Sequence, residues 1–183
     1  MPVIDVAIVV GWIAFWLYWL AASLNAKSGR TSWQRFAGIR VAIILIALFL
    51  LRMGVFKGRN AITRDPWLQG VGMAIFVLGL GLAVWARIYI GRNWGMPMSR
   101  KDDPELVTTG PYATIRHPIY AGIIAGMIGT AIAASLYWLV AAALLGGYFL
   151  YSALMEERFM AKEFPDAYPQ YRARTKMLIP FVV

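Results

Sequence analysis

The sequence contains no cysteine and a single histidine, His117. Without cysteine, disulfides, thiolate metal sites and a cysteine nucleophile are excluded. With one histidine, we expect no metal centre. Charged residues are also few, at 15% of the chain, whereas 60% of the residues are hydrophobic and the mean hydropathy is +0.61. Because apolar residues make up only about 45–50% of ordinary soluble domains, the composition predicts a membrane protein.

Most of the charge that is present is positive, and the net charge is +9. In a membrane protein, such an excess lies mainly in cytoplasmic loops, where it contacts anionic lipid. No basic helix and no aromatic-basic platform is visible in the sequence, so we expect membrane lipids rather than nucleic acid as partners. The length of 183 residues predicts one membrane domain over residues 1–183.

Long apolar runs predict an all-α integral membrane protein with five transmembrane helices, since a span needs about 20 residues. The three spans within residues 1–90 are Val3–Leu24, Phe36–Phe56 and Trp67–Ile90. Val3–Leu24 carries an aromatic face and lacks a basic leader and a cleavage site, so we expect it to be retained. The run Ile119–Met155 is too long for one span and short for two, which predicts a tight helical hairpin that turns near Ala134-Ser135.

Small residues recur at helical spacing in two of these spans and predict close helix packing. In the third span they are Gly70, Gly72, Gly79 and Gly81. In the fourth they are Gly122, Ala125, Gly126, Gly129 and Ala133.

The lysines and arginines predict an orientation with the N-terminus outside and the C-terminus in the cytoplasm. In this orientation most of them fall in the inner segments, and the outer loop carries only Lys57, Arg59 and Arg64. Because the hairpin returns to the side from which it starts, His117 and the pair Glu156-Glu157 both face the cytoplasm.

These two polar features border the hairpin. The proline of Arg116-His117-Pro118 suits a first helical turn, whose free N–H groups attract an anion. The acids of Glu156-Glu157 oppose the helix dipole unless a cation, such as a ligand's ammonium or sulfonium group, faces them. Tyr120 follows His117 by one helical turn, so both can face one ligand. The alternatives are an interfacial helix cap for the first feature and a solvated helix end, paired with Arg158 or Lys162, for the second.

The tail after Arg158 is predicted to continue its helix to about Phe164, to break at Pro165 and to turn again around Pro169. Its apolar end, Leu178–Val183, is expected to return to the membrane surface or to close over the site.

The segments PELVTTGPYATIRHPIYAG and EERFMAKEFPDAYPQYRARTKMLIP resemble the isoprenylcysteine carboxyl methyltransferase family, and the phospholipid N-methyltransferases are similar in the same elements. The resemblance covers Pro104–Pro180, whereas the first ninety residues match only in hydropathy. It implies that residues 91–183 bind S-adenosylmethionine at the cytoplasmic ends of the last helices without a Rossmann domain, and that S-adenosylhomocysteine is the product.

The resemblance also assigns individual residues. It implies that the nucleoside is lined by Pro104, Glu105, Leu106, Val107 and Tyr112. It implies that the methionine moiety is held by His117, Pro118, Ile119 and Tyr120, and that the ammonium group faces Glu156. Two positions depart from the family pattern. Ser152 stands where the family has a substrate-binding arginine, which leaves a carboxylate, a thiol or an amine open as acceptor, and Pro165 replaces a glycine.

We therefore expect an integral membrane methyltransferase whose lipophilic small-molecule or lipid substrate enters from the bilayer. Arg116 is the candidate for orienting an anionic acceptor, and Glu157 or a tyrosine is the candidate base for an amine. The alternatives are an enzyme like the NADPH-dependent sterol reductases, which generally have more spans and a larger polar cofactor surface, and a non-enzymatic small transporter or scaffold. The sequence does not predict the oligomeric state.

Overall fold

The computed structural model describes residues 3–24, 29–31, 65–94, 99–101 and 105–179. Its α-helices are α1 (Val3–Ser23), α2 (Pro66–Ile90), α3 (Pro118–Ala133), α4 (Trp138–Glu163) and α5 (Ala167–Arg174). Within these residues, 3-10 helices cover Gly91–Asn93 and Gly110–Ala113. In the described part of the chain the predicted helical architecture is confirmed, apart from one antiparallel pair of short strands, β1 (Gly29–Thr31) and β2 (Ser99–Lys101).

Among the described residues, three helices are long and apolar enough to cross a membrane: α1, α4, and α2 together with its 3-10 extension to Asn93. They mark the chain as a multi-pass membrane protein. The helix α3 has 16 residues and spans about 24 Å, somewhat less than a hydrocarbon core. The predicted span Phe36–Phe56 lies outside the described residues, so the count of five spans stays a prediction.

The C-terminal ends of α1 and α2 lie together. The buried side chain of Arg87 in α2 donates one hydrogen bond to the carbonyl of Ala22, in the last turn of α1, and another to the carbonyl of Gly91. The pairing of β1 with β2 then joins the segments that follow these two helices. Gly91 ends α2 with a positive φ of 54°, a conformation that glycine adopts without strain.

The helices α2 and α3 pack backbone against backbone. A Cβ atom at Gly79 would lie 2.6 Å from the nitrogen of Gly126 and 2.7 Å from the oxygen of Gly122. A Cβ atom at Gly72 would lie 2.6 Å from the nitrogen of Ala133. No side chain fits in so little space, which is why small residues occupy this interface. We call this contact the glycine seam.

The predicted role of the small residues is confirmed for most of them. Those at the glycine seam are Gly72, Gly79, Gly122, Ala125, Gly126, Gly129 and Ala133. Gly70 and Gly81 were expected to share it, but nothing lies within 4 Å of a Cβ atom built at either position. Their spacing places them on other faces of α2.

The hairpin of α3 and α4 turns over residues 134–137, as predicted. Ser135 is buried in the turn, and its carbonyl accepts a hydrogen bond from the nitrogen of Trp138. The helix α1 reaches this hairpin through Trp12, whose indole nitrogen donates to Thr130 Oγ1 at 3.1 Å.

The helix α4 ends at Glu163, and the chain after it packs against the segment at the start of the hairpin. The predicted break at Pro165 is confirmed, but the predicted turn around Pro169 is wrong. Pro169 lies in the first turn of α5, where its missing N–H costs no hydrogen bond.

After α5 the chain runs parallel to the segment that carries His117. The nitrogen of Lys176 donates to the carbonyl of Thr114, and the nitrogens of Arg116 and His117 donate to the carbonyls of Lys176 and Met177. Three backbone hydrogen bonds therefore fix residues 114–117 against the tail. Leu178 packs partly against the core, and the rest of the predicted segment Leu178–Val183 beyond residue 179 lies outside the described residues.

Candidate functional site

A cavity of about 440 Å³ lies where the C-terminal parts of α1, α2 and α4 meet the start of α3 and the helix α5. Most of the residues predicted for the site line it. From the segment before α3 these are Glu105, Leu106, Val107, Tyr112, Arg116 and His117. From the helices they are Pro118, Ile119, Tyr120 and Glu156. Pro104 lies outside the described residues, and Glu157 does not line the cavity.

His117, Tyr120 and Glu156 come together at the cavity wall. The rings of His117 and Tyr120 stack with centroids 5.4 Å apart and planes 2° from parallel, as expected for residues one helical turn apart. The Tyr120 hydroxyl donates to Glu156 Oε1 at 2.6 Å, and His117 Nδ1 lies 3.5 Å from Glu156 Oε2. Phe149 of α4 extends the stack beyond Tyr120 at 4.7 Å. The prediction that the two ends of the hairpin meet in one polar site is confirmed.

Glu157 lies beside the cavity at the centre of a buried ionic cluster. Its Oε1 accepts from Arg116 Nε at 2.6 Å and lies 3.7 Å from His117 Nε2, and its Oε2 lies 3.5 Å from Arg172 Nε. The side chains of Arg116 and Glu157 are 7% and 5% exposed. Arg116 Nη1 also donates to the Thr175 carbonyl at 2.6 Å.

This arrangement bears on two predicted roles. Glu157 was the candidate base, but it is not part of the cavity wall. Arg116 was the candidate for orienting an anionic acceptor. It does line the cavity, but its Nε and Nη1 groups are engaged by Glu157 and by the tail. The geometry therefore favours a positioning role for both residues, in which they hold the segment of His117 against α4 and the tail.

Three tyrosines outside the membrane-spanning helices complete the polar side of the cavity: Tyr112, Tyr168 and Tyr171. Burial raises the pKa of Tyr171 to about 12 and raises the pKa values of Tyr112 and Tyr168 still further. The Tyr171 hydroxyl donates to the carbonyl of Tyr112 at 2.6 Å. These phenols stay protonated at neutral pH, so they serve as hydrogen-bond donors and are poor bases.

Sequence reasoning missed a further part of the cavity wall. Trp16 and Trp19 of α1 and Trp94 after α2 line it, and the rings of Trp19 and Trp94 meet edge to face at 5.7 Å. We call these three residues the aromatic wall. The aromatic face of α1 was visible in the sequence, but nothing there indicated that the end of α2 would bring Trp94 against it.

Asn93 was also missed. Its Nδ2 donates to Glu105 Oε2 at 2.8 Å. Its Oδ1 is buried at the cavity and has no hydrogen-bond partner within the described part of the chain. A buried hydrogen-bond acceptor without a partner suits a ligand that donates an N–H group.

Fold and site together define a multi-pass membrane protein with a ligand cavity at one end of its helices, lined by carboxylates, tyrosines and tryptophans. The sequence model of the family described as Phospholipid methyltransferase matches residues 67–167. The chain belongs to this family. The matched residues run from α2 through the hairpin to the start of α5, and thus include His117, Tyr120 and Glu156.

Several curated proteins are similar to the chain. The nickel-cobalt-cadmium resistance protein NccN of Alcaligenes xylosoxydans xylosoxydans is 29% identical over 144 residues, which cover 77% of this chain and 64% of that protein. Protein-S-isoprenylcysteine O-methyltransferase B of Arabidopsis thaliana is 28% identical over 120 residues, covering 63% and 61%. Methanethiol S-methyltransferase of Pseudomonas sp. (strain GM41(2012)) is 28% identical over 125 residues, covering 63% and 48%. The chain thus spans about half to two thirds of the length of these relatives.

Proposed function

We propose that the protein is a membrane methyltransferase that takes its methyl group from S-adenosylmethionine and transfers it to a lipophilic acceptor. The observation that carries the proposal is the meeting of His117, Tyr120 and Glu156 at one cavity, because these residues belong to the two separate motifs of the methyltransferase resemblance. Family membership favours this function over an NADPH-dependent reductase and over a transporter or scaffold.

The residues at the cavity fit such a cofactor. A volume of about 440 Å³ is within the range of roughly 300–1,000 Å³ found for sites that bind drug-sized ligands. Glu105, Glu156 and Glu163 line the cavity and suit a ligand with ammonium and sulfonium groups. The Oδ1 of Asn93, which has no hydrogen-bond partner among the described residues, suits an amino group of the ligand.

The cofactor assignments made from the resemblance are part of the proposal. The nucleoside would be held by Glu105, Leu106, Val107 and Tyr112, with Pro104 next to them in sequence. The methionine moiety would be held by the stretch His117–Tyr120, and its ammonium group by Glu156. Residues 91–183 would then form the cofactor-binding region. We further propose that this end of the bundle faces the cytoplasm, with the N-terminus outside.

When bound, S-adenosylmethionine would supply a methyl group activated by a positively charged sulfur, with the carbon–sulfur electron pair returning to the sulfur of S-adenosylhomocysteine on transfer to the acceptor's lone pair. The protein's part is to align donor and acceptor and to exclude water, which are the main sources of acceleration in such a transfer. The stacked rings of His117, Tyr120 and Phe149 give the cavity a rigid wall for this purpose. A thiol or ammonium acceptor would have to lose its proton; Glu157 does not line the cavity, and since Glu105 and Glu156 are assigned to the cofactor, Glu163 is the remaining described carboxylate at the cavity that could take it.

The proposed acceptor site differs from that of the isoprenylcysteine enzymes at one position. Ser152 is fully buried and donates its hydroxyl to the carbonyl of Tyr148 in its own helix at 2.8 Å, and it does not line the cavity. It therefore offers nothing in place of the family's substrate-binding arginine, and this disfavours a prenylcysteine carboxylate as acceptor.

Calorimetry with S-adenosylhomocysteine tests the cofactor proposal on the purified protein. We expect the wild-type protein to bind it and Glu156→Gln to bind it about 10-fold or more weakly, because a charge-assisted hydrogen bond contributes about 1.5–3 kcal/mol. The matched control is Asp166→Asn, at an exposed position between α4 and α5 outside the cavity, which should bind like the wild type. A folded wild-type protein that does not bind S-adenosylhomocysteine would contradict the proposal.

A further inference from the structure

The three tryptophans of the aromatic wall, Trp16, Trp19 and Trp94, line the cavity but are not among the residues assigned to the proposed cofactor. Two of these tryptophans come from α1 and the third follows α2, so the wall exists only because two helix ends that are distant in sequence are held together.

Arg87 is the residue that fixes the wall. Its guanidinium carbon lies 4.6 Å from the ring centroid of Trp94, and the side chain is only 4% exposed. Its Nη2 donates to Ala22 at the end of α1, and its Nη1 donates to Gly91 at 2.8 Å. One buried cation thus orients the Trp94 ring and draws the end of α1, with Trp19, against it. Since burying an arginine is costly, so specific an arrangement indicates that the position of these rings matters.

The wall connects the cavity with the outer surface of the helices. Trp16 lines the cavity and is nevertheless 52% exposed on α1, a helix long and apolar enough to lie in the membrane. A ligand that enters along this wall therefore comes from the lipid and is itself lipophilic. Indole rings offer such a ligand large apolar faces.

The charges at the cavity restrict the ligand further. Glu105, Glu156 and Glu163 line it, and a ligand with a negative charge would be repelled by these carboxylates. Arg116 is turned to Glu157 and to the tail. The cavity is thus better suited to a neutral or basic reactive group than to a carboxylate.

We propose that the aromatic wall is the acceptor subsite of this protein, that it takes a lipophilic acceptor without negative charge, and that Arg87 is its positioning residue. That the ligand receives a methyl group rests on the proposed function, but the binding of a lipophilic ligand at the wall is a separate property. It can therefore be measured without turnover.

The test uses a diazirine derivative of octane-1-thiol as a photoreactive probe on the protein in lipid nanodiscs, followed by peptide mass spectrometry. We expect labelling of the peptides that contain residues 16–19 and 90–94, and we expect excess octane-1-thiol to suppress it. Octanoate, with the same chain length and a negative charge, should suppress it about tenfold less effectively. Labelling that stays on the exposed Trp85 face of α2 and does not saturate would overturn the subsite. Equal competition by octanoate would overturn the stated charge of the acceptor.

Variants then separate the wall from the cofactor site. We expect Trp94→Leu to weaken competition by octane-1-thiol about tenfold, because an aromatic contact adds up to about a factor of ten. Its affinity for S-adenosylhomocysteine should stay within about twofold of the wild type. The control Trp85→Leu should change neither quantity. A parallel loss of both affinities in Trp94→Leu would assign the wall to the cofactor. If the wild type does not bind S-adenosylhomocysteine but labels saturably, the proposed function fails while the lipophilic subsite stands.

Arg87→Lys tests the positioning role, because lysine keeps the charge and loses the planar stack on Trp94. We expect octane-1-thiol to compete less well and the near-ultraviolet circular dichroism of the tryptophans to change as in Trp94→Leu, with S-adenosylhomocysteine binding retained. Arg87→Lys with wild-type competition and wild-type dichroism would overturn the role of Arg87. If Arg87→Lys fails to fold, Arg87 is needed for stability and its role is not limited to positioning. The conclusion on the wall itself then depends on Trp94→Leu.

Discussion

The hairpin side of the cavity and its α1 side are held by different kinds of contact. On the hairpin side, the glycine seam brings the backbones of α2 and α3 together, and three backbone hydrogen bonds fix residues 114–117 to the tail. On the α1 side, the helices themselves are connected by side chains, Trp12 to Thr130 and Arg87 to the end of α1, and backbone pairing is confined to the short strands β1 and β2 beyond the helix ends. Only two residues of α1, Ile8 and Phe15, are buried.

This difference agrees with the two proposed ligands. A cofactor with fixed shape and charge needs donors and acceptors at fixed positions, which backbone contacts provide. An apolar acceptor from the lipid needs a wall that can admit it, and side-chain contacts yield more easily than a backbone interface. The hairpin side is thus the rigid half of the site, and α1 is the half that can adjust.

The largest effect is expected where the buried ion pair of the hairpin side is broken. Arg116→Met leaves Glu157 buried without its 2.6 Å partner and should destabilise the protein by about 3–5 kcal/mol. Thermal unfolding in detergent, followed by circular dichroism, measures the change. Arg172→Met is the control, because the Arg172 side chain is 62% exposed and its contact with Glu157 is worth no more than about 1 kcal/mol. A stability of Arg116→Met equal to that of Arg172→Met would contradict the assignment of this cluster to the rigid half.

A somewhat smaller effect is expected at the glycine seam. Gly79→Ala places a methyl group 2.6 Å from the backbone nitrogen of Gly126, and since backbone atoms cannot rotate away, we expect a loss of about 3 kcal/mol. Gly81→Ala is the same change one half-turn further along α2, in open space, and should gain up to about 1 kcal/mol from helix propensity. The midpoints of thermal unfolding should therefore move in opposite directions. Equal shifts would mean that α2 and α3 are less closely packed than the seam requires.

The smallest effect is expected on the α1 side. Trp12→Phe removes the hydrogen bond to Thr130 but keeps a ring next to Phe76, so the loss should be about 1 kcal/mol. The control is Trp67→Phe, at a position 75% exposed, where we expect no change. Limited proteolysis together with thermal unfolding measures both variants. A loss as large as that of Gly79→Ala would remove the contrast between the two halves.

The sequence allowed the hairpin and the meeting of His117 with Glu156 to be predicted, because both follow from the lengths of apolar runs that a membrane imposes. The glycine seam was predictable for the same reason, although Gly70 and Gly81 show that small residues do not by themselves reveal which face of a helix is covered. The turn expected at Pro169 was wrong because proline is equally compatible with a turn and with the first turn of a helix.

The aromatic wall and the buried position of Glu157 could not be predicted, because both depend on contacts between segments far apart in the chain. Arg87 gave no signal in the sequence, where it is one arginine near the end of an apolar span and would ordinarily extend towards the interface. Its burial depends on carbonyl groups of Ala22 and Gly91, which only the folded backbone brings within reach. Likewise, Glu157 and Glu156 are neighbours in sequence, and only the position of Arg116 distinguishes them.

The backbone ladder between residues 114–117 and 176–177 has a consequence for biosynthesis. The hairpin of α3 and α4 can enter the membrane as soon as it has been made, but the segment of His117 acquires its hydrogen bonds only when Lys176 and Met177 have left the ribosome. Insertion into the bilayer and completion of the site are therefore separate events in time. A chain that stops before Thr175 would hold its helices in the membrane and still lack an ordered site.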